Sequence, residues 1–288
     1  AGMLGAKEGM PMCALKREEY DDHGCCFDRG GVIPAPDTAP APAAIDVPAV
    51  VRTLDALLER DDLGAARAHL ERWLTEARAL GDWRGELSVQ SELMGLHRRT
   101  GDSAAALSAV EGGLALINAH HLGSTVSGAT VTLNAATTLK ALGRAARSLP
   151  LFEEVCRVYA ASLDPGDYRF AGLYNNMALS LADTGDLEGA ETCFRRAMAV
   201  IRACPNPENE LAVTDCNLAE LYERADPEDA RIGGALEDAW ACLNAPGVPQ
   251  DGYHAFTLSK CAPTFGHFGY FFYETALKKR AKELYDRT

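Results

Sequence analysis

Long apolar runs are missing from this sequence. None of its 288 residues lies in an uninterrupted apolar stretch of the roughly 18–20 residues that a bilayer-spanning helix needs. The first residues also lack the basic flank and apolar run of a secretory signal. The expectation is a cytoplasmic protein with no membrane partner. Positive charge is short as well: 28 basic residues face 41 acidic ones, a formal net charge of −13. Such a field repels polyanions, so nucleic acid is excluded as a partner class. Aromatic residues make up only 7%, which argues against sheets and for closely packed helices. Nine cysteines are too few and odd in number for a disulfide framework, and most fall at helical core spacing, as reduced, buried thiols do.

Catalytic signatures are absent too. There is no HExxH, no GxxxxGK[ST], no GxSxG and no dinucleotide glycine pattern. Paired carboxylates such as Glu153-Glu154 are adjacent, so on a helix they diverge and cannot flank one substrate bond. Cys261 and His267 share a segment, but their pairing depends on geometry that spacing does not supply. Cys13, His23, Cys25 and Cys26 offer metal-ligating atoms, yet adjacent cysteines make a poor zinc knuckle and no second knuckle follows. The expectation is a non-enzyme with no cofactor and no metal.

What is present is a composition shift followed by a repeat. Residues 1–46 include "VIPAPDTAPAPAAID", whose alternating prolines exclude helix and favour an extended, partly disordered segment. A helical domain is expected over 47–288, with Asp46 as its first cap and Pro48 in the first turn. Turn dipeptides then fall at Gly101-Asp102, Gly143-Arg144 and Gly185-Asp186, 42 residues apart both times. Each is flanked by helical patterns, as in "AGLYNNMALSLADT" and "LEGAETCFRRAMAVI". Glycine supplies the helix-ending conformation and aspartate caps the next helix. Weaker pairs on either side turn at Asp61-Asp62 and at Ala225-Asp226-Pro227. That makes about five helix hairpins, with a short helix to Cys261, a break near Pro263 and Gly266, and a final aromatic and basic helix as a terminal cap.

These units resemble the tetratricopeptide repeat, in the 42-residue variant of kinesin light chains and bacterial peptide-sensing and transcriptional regulators. The run "NNMALSLADTGDLEGAE" is close to the family pattern. Ala178, Ala190 and Ala197 take its small positions, and Tyr174, Leu181 and Phe194 its large ones. Leu139, Phe152, Ala106 and Ala136 conform in other units, whereas Met94 and Ser148 replace small residues and His97 a large apolar one. The resemblance implies an all-α, right-handed superhelical array whose first helices line a concave face and hold a protein or peptide.

On that face the resemblance places an asparagine row, Asn134, Asn176 and Asn217, at separations of 42 and 41, with Asn175 alongside and Glu92 in the first complete unit. A primary amide both donates and accepts, so it matches a peptide unit of any sequence. A second account has these amides bonding the end of the preceding helix or a neighbouring hairpin instead. Arg98, Arg99 and Lys140, with Lys260 further on, would favour an acidic segment or terminal carboxylate, against Asp183 and Glu223 along the row. His120-His121 reads as a helix terminus. The functional expectation is a scaffold that binds a partner segment, or a peptide-responsive regulator acting through a partner. The proline-containing tail is a candidate occupant of the groove.

Overall fold

In the computed structural model the described residues are 43–287. The residues proposed as tail ligand or zinc site, before residue 43, lie outside them. Twelve helices and no strand occur among the described residues. They are α1 (Val47–Glu59), α2 (Leu63–Leu80), α3 (Trp83–Thr100), α4 (Ser103–Ala119), α5 (Val126–Ala141) and α6 (Ala145–Ser162). After these come α7 (Arg169–Thr184), α8 (Leu187–Ile201), α9 (Glu208–Ala225), α10 (Arg231–Leu243), α11 (Gly252–His267) and α12 (Phe271–Tyr285).

Local chemistry sets the boundaries. The side chains of Asp46, Asp62, Asp82, Asp102, Asp186 and Asp251 each accept from a backbone N–H in the first turn of the helix that follows. Gly101, Gly143 and Gly185 have φ of 73°, 70° and 91°, the left-handed conformation that ends a helix. A fourth such turn, Gly81-Asp82 with φ 68°, links α2 to α3. Arg144 makes no side-chain cap, so glycine alone sets that turn. At the weaker turn Asp61 itself takes φ 54°.

The helices form two compact units, one ending at Leu163 and the other beginning at Asp164. In the first, α1 pairs with α2, α3 with α4 and α5 with α6. In the second the pairs are α7–α8, α9–α10 and α11–α12. Between pairs, α4 packs on α5 and α8 on α9, while first helices touch directly, α3 on α5 and α9 on α11. Within each unit the first helices therefore share one face, and the second helices sit behind them.

Small residues permit this packing. Ala106 and Ala136 in the first unit, and Ala178, Ala190 and Ala197 in the second, are fully buried, so helix backbones approach closely there. Phe152 and Phe194 fill the grooves and are also buried. The departures are accommodated: Met94 and Ser148 are fully buried, Ser148 returning its hydroxyl to Ala145 O. His97 is buried with no partner for its Nδ1 among the described residues, and burial lowers its pKa.

The C-terminal segment differs from expectation. No break occurs near Pro263: α11 runs on to His267, with Pro263 exposed on the helix surface. Proline lacks the N–H that would reach four residues back and leaves that carbonyl to solvent, a cost an exposed site tolerates. The turn comes at Gly269, φ 82°, and α12 packs on α11 as the second helix of a sixth pair. Trp240 stacks on Tyr273 with ring centroids 4.0 Å apart, and Phe265 meets both edge-on, so aromatic contacts bind this pair to α10.

Phe194→Ala should lower the stability of the second unit by about 3 kcal/mol. Asp186→Ala, which removes one exposed cap, should cost about 1 kcal/mol. Urea denaturation followed by circular dichroism measures both, and equal losses would contradict the packing described.

Candidate functional site

The seven residues singled out from the sequence fall in both units. In the first, Asn134 on α5 is half-buried and its Nδ2 donates to Ser91 Oγ on α3 at 2.8 Å. Four residues along α5, the Thr138 hydroxyl donates to Asn134 O and accepts from Arg98 Nη1 of α3 at 3.1 Å. Two polar links thus join the first helices at neighbouring turns. Arg99 reaches Asp61 at 2.6 Å, but Asp61 is 69% exposed and solvent screens such a pair. Lys140 is half-buried and has no carboxylate within ion-pair distance among the described residues.

In the second unit, Asn175 is 1% exposed and its Oδ1 accepts from Asn217 Nδ2 at 3.2 Å, joining α7 to α9. Asn176 turns its Nδ2 back to Gly172 O on its own helix, 3.0 Å away. The side-chain oxygens of Asn134, Asn176 and Asn217 accept no hydrogen bond among the described residues. The amides are anchored through nitrogen and retain an acceptor each.

Joining of the first helices continues from α9 to α11. Tyr253 Oη donates to Glu210 at 2.9 Å and Thr264 Oγ1 to Glu220 at 2.9 Å. His267 lies 2.8 Å from Glu223. His254, fully buried, sits 2.8 Å from Asn209 Oδ1 and 3.3 Å from Arg280 Nη2. The acceptor oxygen assigns the proton to Nδ1, so Nε2 receives the arginine N–H. Burial, reinforced by the Arg280 charge, pushes the His254 pKa down to about 4. Arg280 also reaches Asn244 and Leu243 O, fixing α12 to the end of α10.

These lateral bonds were not foreseen individually. Their only sequence signal is spacing, since each joins residues about one repeat apart: 91 and 134, 175 and 217, 210 and 253, 220 and 264. Cys261 and His267 are not brought together. Cys261 is buried against Cys216 of α9, whereas His267 is exposed on Glu223. His120 follows the last residue of α4 and stacks on Trp83 at 4.0 Å. Among the described residues no group of three histidine, cysteine or acidic side chains could hold a metal, and no helix is long and apolar enough to cross a membrane.

An all-α array of stacked helix pairs with a polar first-helix face defines the class. Residues 169–232, spanning α7–α9 and reaching α10, match the tetratricopeptide repeat family. The resemblance read from the sequence is thus borne out. A search of curated proteins finds no match. Among solved structures, the nearly identical TPR-like repeats of a putative kinesin light chain from Podosopora anserina match at 16% identity and a TM-score of 0.50. That match covers 68% of this chain and 92% of the other. NprR, solved with its cognate peptide NprX, matches at 11% identity and a TM-score of 0.57, over 85% of this chain and 68% of the other. At these identities the likeness is one of fold.

Asn217→Ala should cost the second unit about 1 kcal/mol through its bond to Asn175, read by urea denaturation. His254 contributes pH dependence with a definite sign. Its folded pKa lies below the unfolded value near 6.5, so the unfolded chain takes the proton first. The contribution is complete above about pH 6.5 and is lost as pH falls towards 4. His254→Gln should therefore lose less stability than wild type between pH 6.5 and 4.5, and equal losses would refute the assignment.

Proposed function

We propose that this protein is a scaffold that holds a peptide segment of a partner protein on the first-helix faces of its units. The carrying observation is the set of half-buried amides at equivalent repeat positions. Asn134, Asn176 and Asn217 are tethered through Nδ2 and keep Oδ1 acceptors. An extended peptide presents an N–H at every residue, and a tethered amide oxygen accepts from it whatever its side chains. Pre-orientation by Ser91 and Asn175 lowers the entropy of ordering on binding.

The first unit adds a preference. Arg98, bonded to Thr138 one turn from Asn134, and Lys140 further along α5 are cations on a chain of net charge −13, so an acidic segment is the favoured ligand there. In the second unit Asp183, Glu220 and Glu223 give the first helices the opposite sign, and no acidic preference is assigned to it. No catalytic family is indicated by the matches, in keeping with binding without turnover.

A second reading is a peptide-responsive regulator that acts through a partner. The peptide-bound NprR structure, of similar fold, favours it. The two readings share the same face and differ in whether the peptide alters a further interaction.

Peptides selected from a displayed random library against the full chain provide the test. They should bind the Asn134→Ala, Asn176→Ala, Asn217→Ala variant at least ten-fold more weakly, by fluorescence anisotropy, once circular dichroism shows it still helical. Equal binding would remove the asparagine row from the site.

A further inference from the structure

The outer face of the last helix gathers side chains that are scarce on the rest of the surface. Large apolar side chains are exposed at five positions among the described residues, and four of these, Tyr270, Phe271, Phe272 and Tyr285, lie on α12 or at its start. Phe271 is 67% and Phe272 80% exposed. Lysines collect on the same helix pair. Apart from Lys140, the lysines of the described residues are Lys260 on α11 and Lys278, Lys279 and Lys282 on α12, and all four are exposed. Residues 252–287 hold six basic and three acidic side chains, a net of +3 on a chain of −13.

Helical spacing orders these groups. Phe271, Thr275, Lys278, Lys282 and Tyr285 recur every three or four residues, so they form one stripe along α12, and all five are exposed. Aromatic rings mark its ends and lysines its middle, and no carboxylate falls on it. Lys278 pairs with Glu274 and Lys279 with Glu283, off the stripe. Solvent screens such exposed pairs and leaves the ammonium groups available. The opposite side of the helix is fixed: Leu277, Ala281 and Leu284 are buried, Tyr273 stacks on Trp240, and Arg280 binds Asn244. The stripe is thus presented by a helix that α10 and α11 hold in place.

We propose that α12 is an interfacial helix that rests this stripe on an anionic lipid bilayer. The rings of Phe271, Phe272 and Tyr285 enter the boundary between headgroups and acyl chains, and the lysines set their ammonium groups among the headgroup anions. Lysine suits this task because a hydrated point charge on a flexible stem needs no fixed partner geometry. Crossing a bilayer takes a long apolar helix, whereas lying on one takes only a face. The negative charge elsewhere on the chain does not prevent the contact, because salt screens exposed charges beyond about 8 Å. A second copy seated antiparallel on the stripe would set lysine against lysine, a like-charge contact that disfavours it. The inference goes beyond peptide binding and its test uses no peptide, so the two stand or fall separately.

Co-sedimentation of the full chain with vesicles provides the test, comparing pure phosphatidylcholine with a mixture containing about one third phosphatidylserine. Wild type should partition onto the mixed vesicles about ten-fold more strongly or better, and added salt should weaken that binding. Phe271→Ser with Phe272→Ser, and separately Lys278→Glu with Lys282→Glu, should each lower it by about ten-fold or more. All four positions are exposed, so circular dichroism should show the variants as helical as wild type. Binding to neither vesicle type, equal binding to both, or binding that survives either pair of substitutions would overturn the proposal. So would a dimer in analytical ultracentrifugation that Phe271→Ser with Phe272→Ser dissociates, which would give the stripe to a second copy.

Discussion

Everything in this protein depends on one constraint: a single helix pair cannot bury both of its apolar faces. Each pair must lend a face to the next, and alanines at the crossing points let them come close enough. Ala178, Ala190 and Ala197 lose nearly all contact with solvent, and Phe194 fills the groove that their small size opens. The stability of each unit is then the sum of what neighbours share. Asp caps and left-handed glycines add little individually, but they set where each helix ends and so which residues meet.

Upon that apolar frame sits a polar seam. The first helices of successive pairs touch, and where they touch they exchange hydrogen bonds about one repeat apart. Ser91–Asn134 and Asn175–Asn217 are the amide members of that seam, and Glu210–Tyr253 and Glu220–Thr264 continue it. The two accounts of the asparagines, lateral bonding and ligand contact, are compatible because a primary amide has two ends. Nitrogen fixes its orientation and oxygen remains an acceptor. A face that is both rigid and polar suits recognition of a peptide backbone.

The second unit carries opposing protonation effects. Burial, reinforced by the Arg280 charge, lowers the His254 pKa to about 4, and burial, reinforced by Asp238, raises that of Asp215 to about 7. One favours higher pH and the other lower, over overlapping ranges, so the unit's net pH response is smaller than either contribution. Asp215 lies on α9, and His254 bonds Asn209 in its first turn.

The sequence by itself determined the helices, their turns and the repeat, because these rest on local chemistry: aspartate caps, glycines at positive φ, and apolar residues at helical spacing. It also determined the small and large packing positions of the unit beginning at Ala171. Tertiary structure decided what spacing leaves open. Pro263 looked like a break because proline cannot donate, yet its exposed place on α11 allows the helix to pass through and complete a sixth pair. The asparagine row was legible as a period, but the partner of each amide nitrogen was not: a serine of the facing helix for Asn134, an asparagine of the facing helix for Asn217, and a carbonyl of its own helix for Asn176. Asp215 was invisible in the sequence for the same reason. Its burial arises only where α9 packs on α8 and α10, and that is a property of packing.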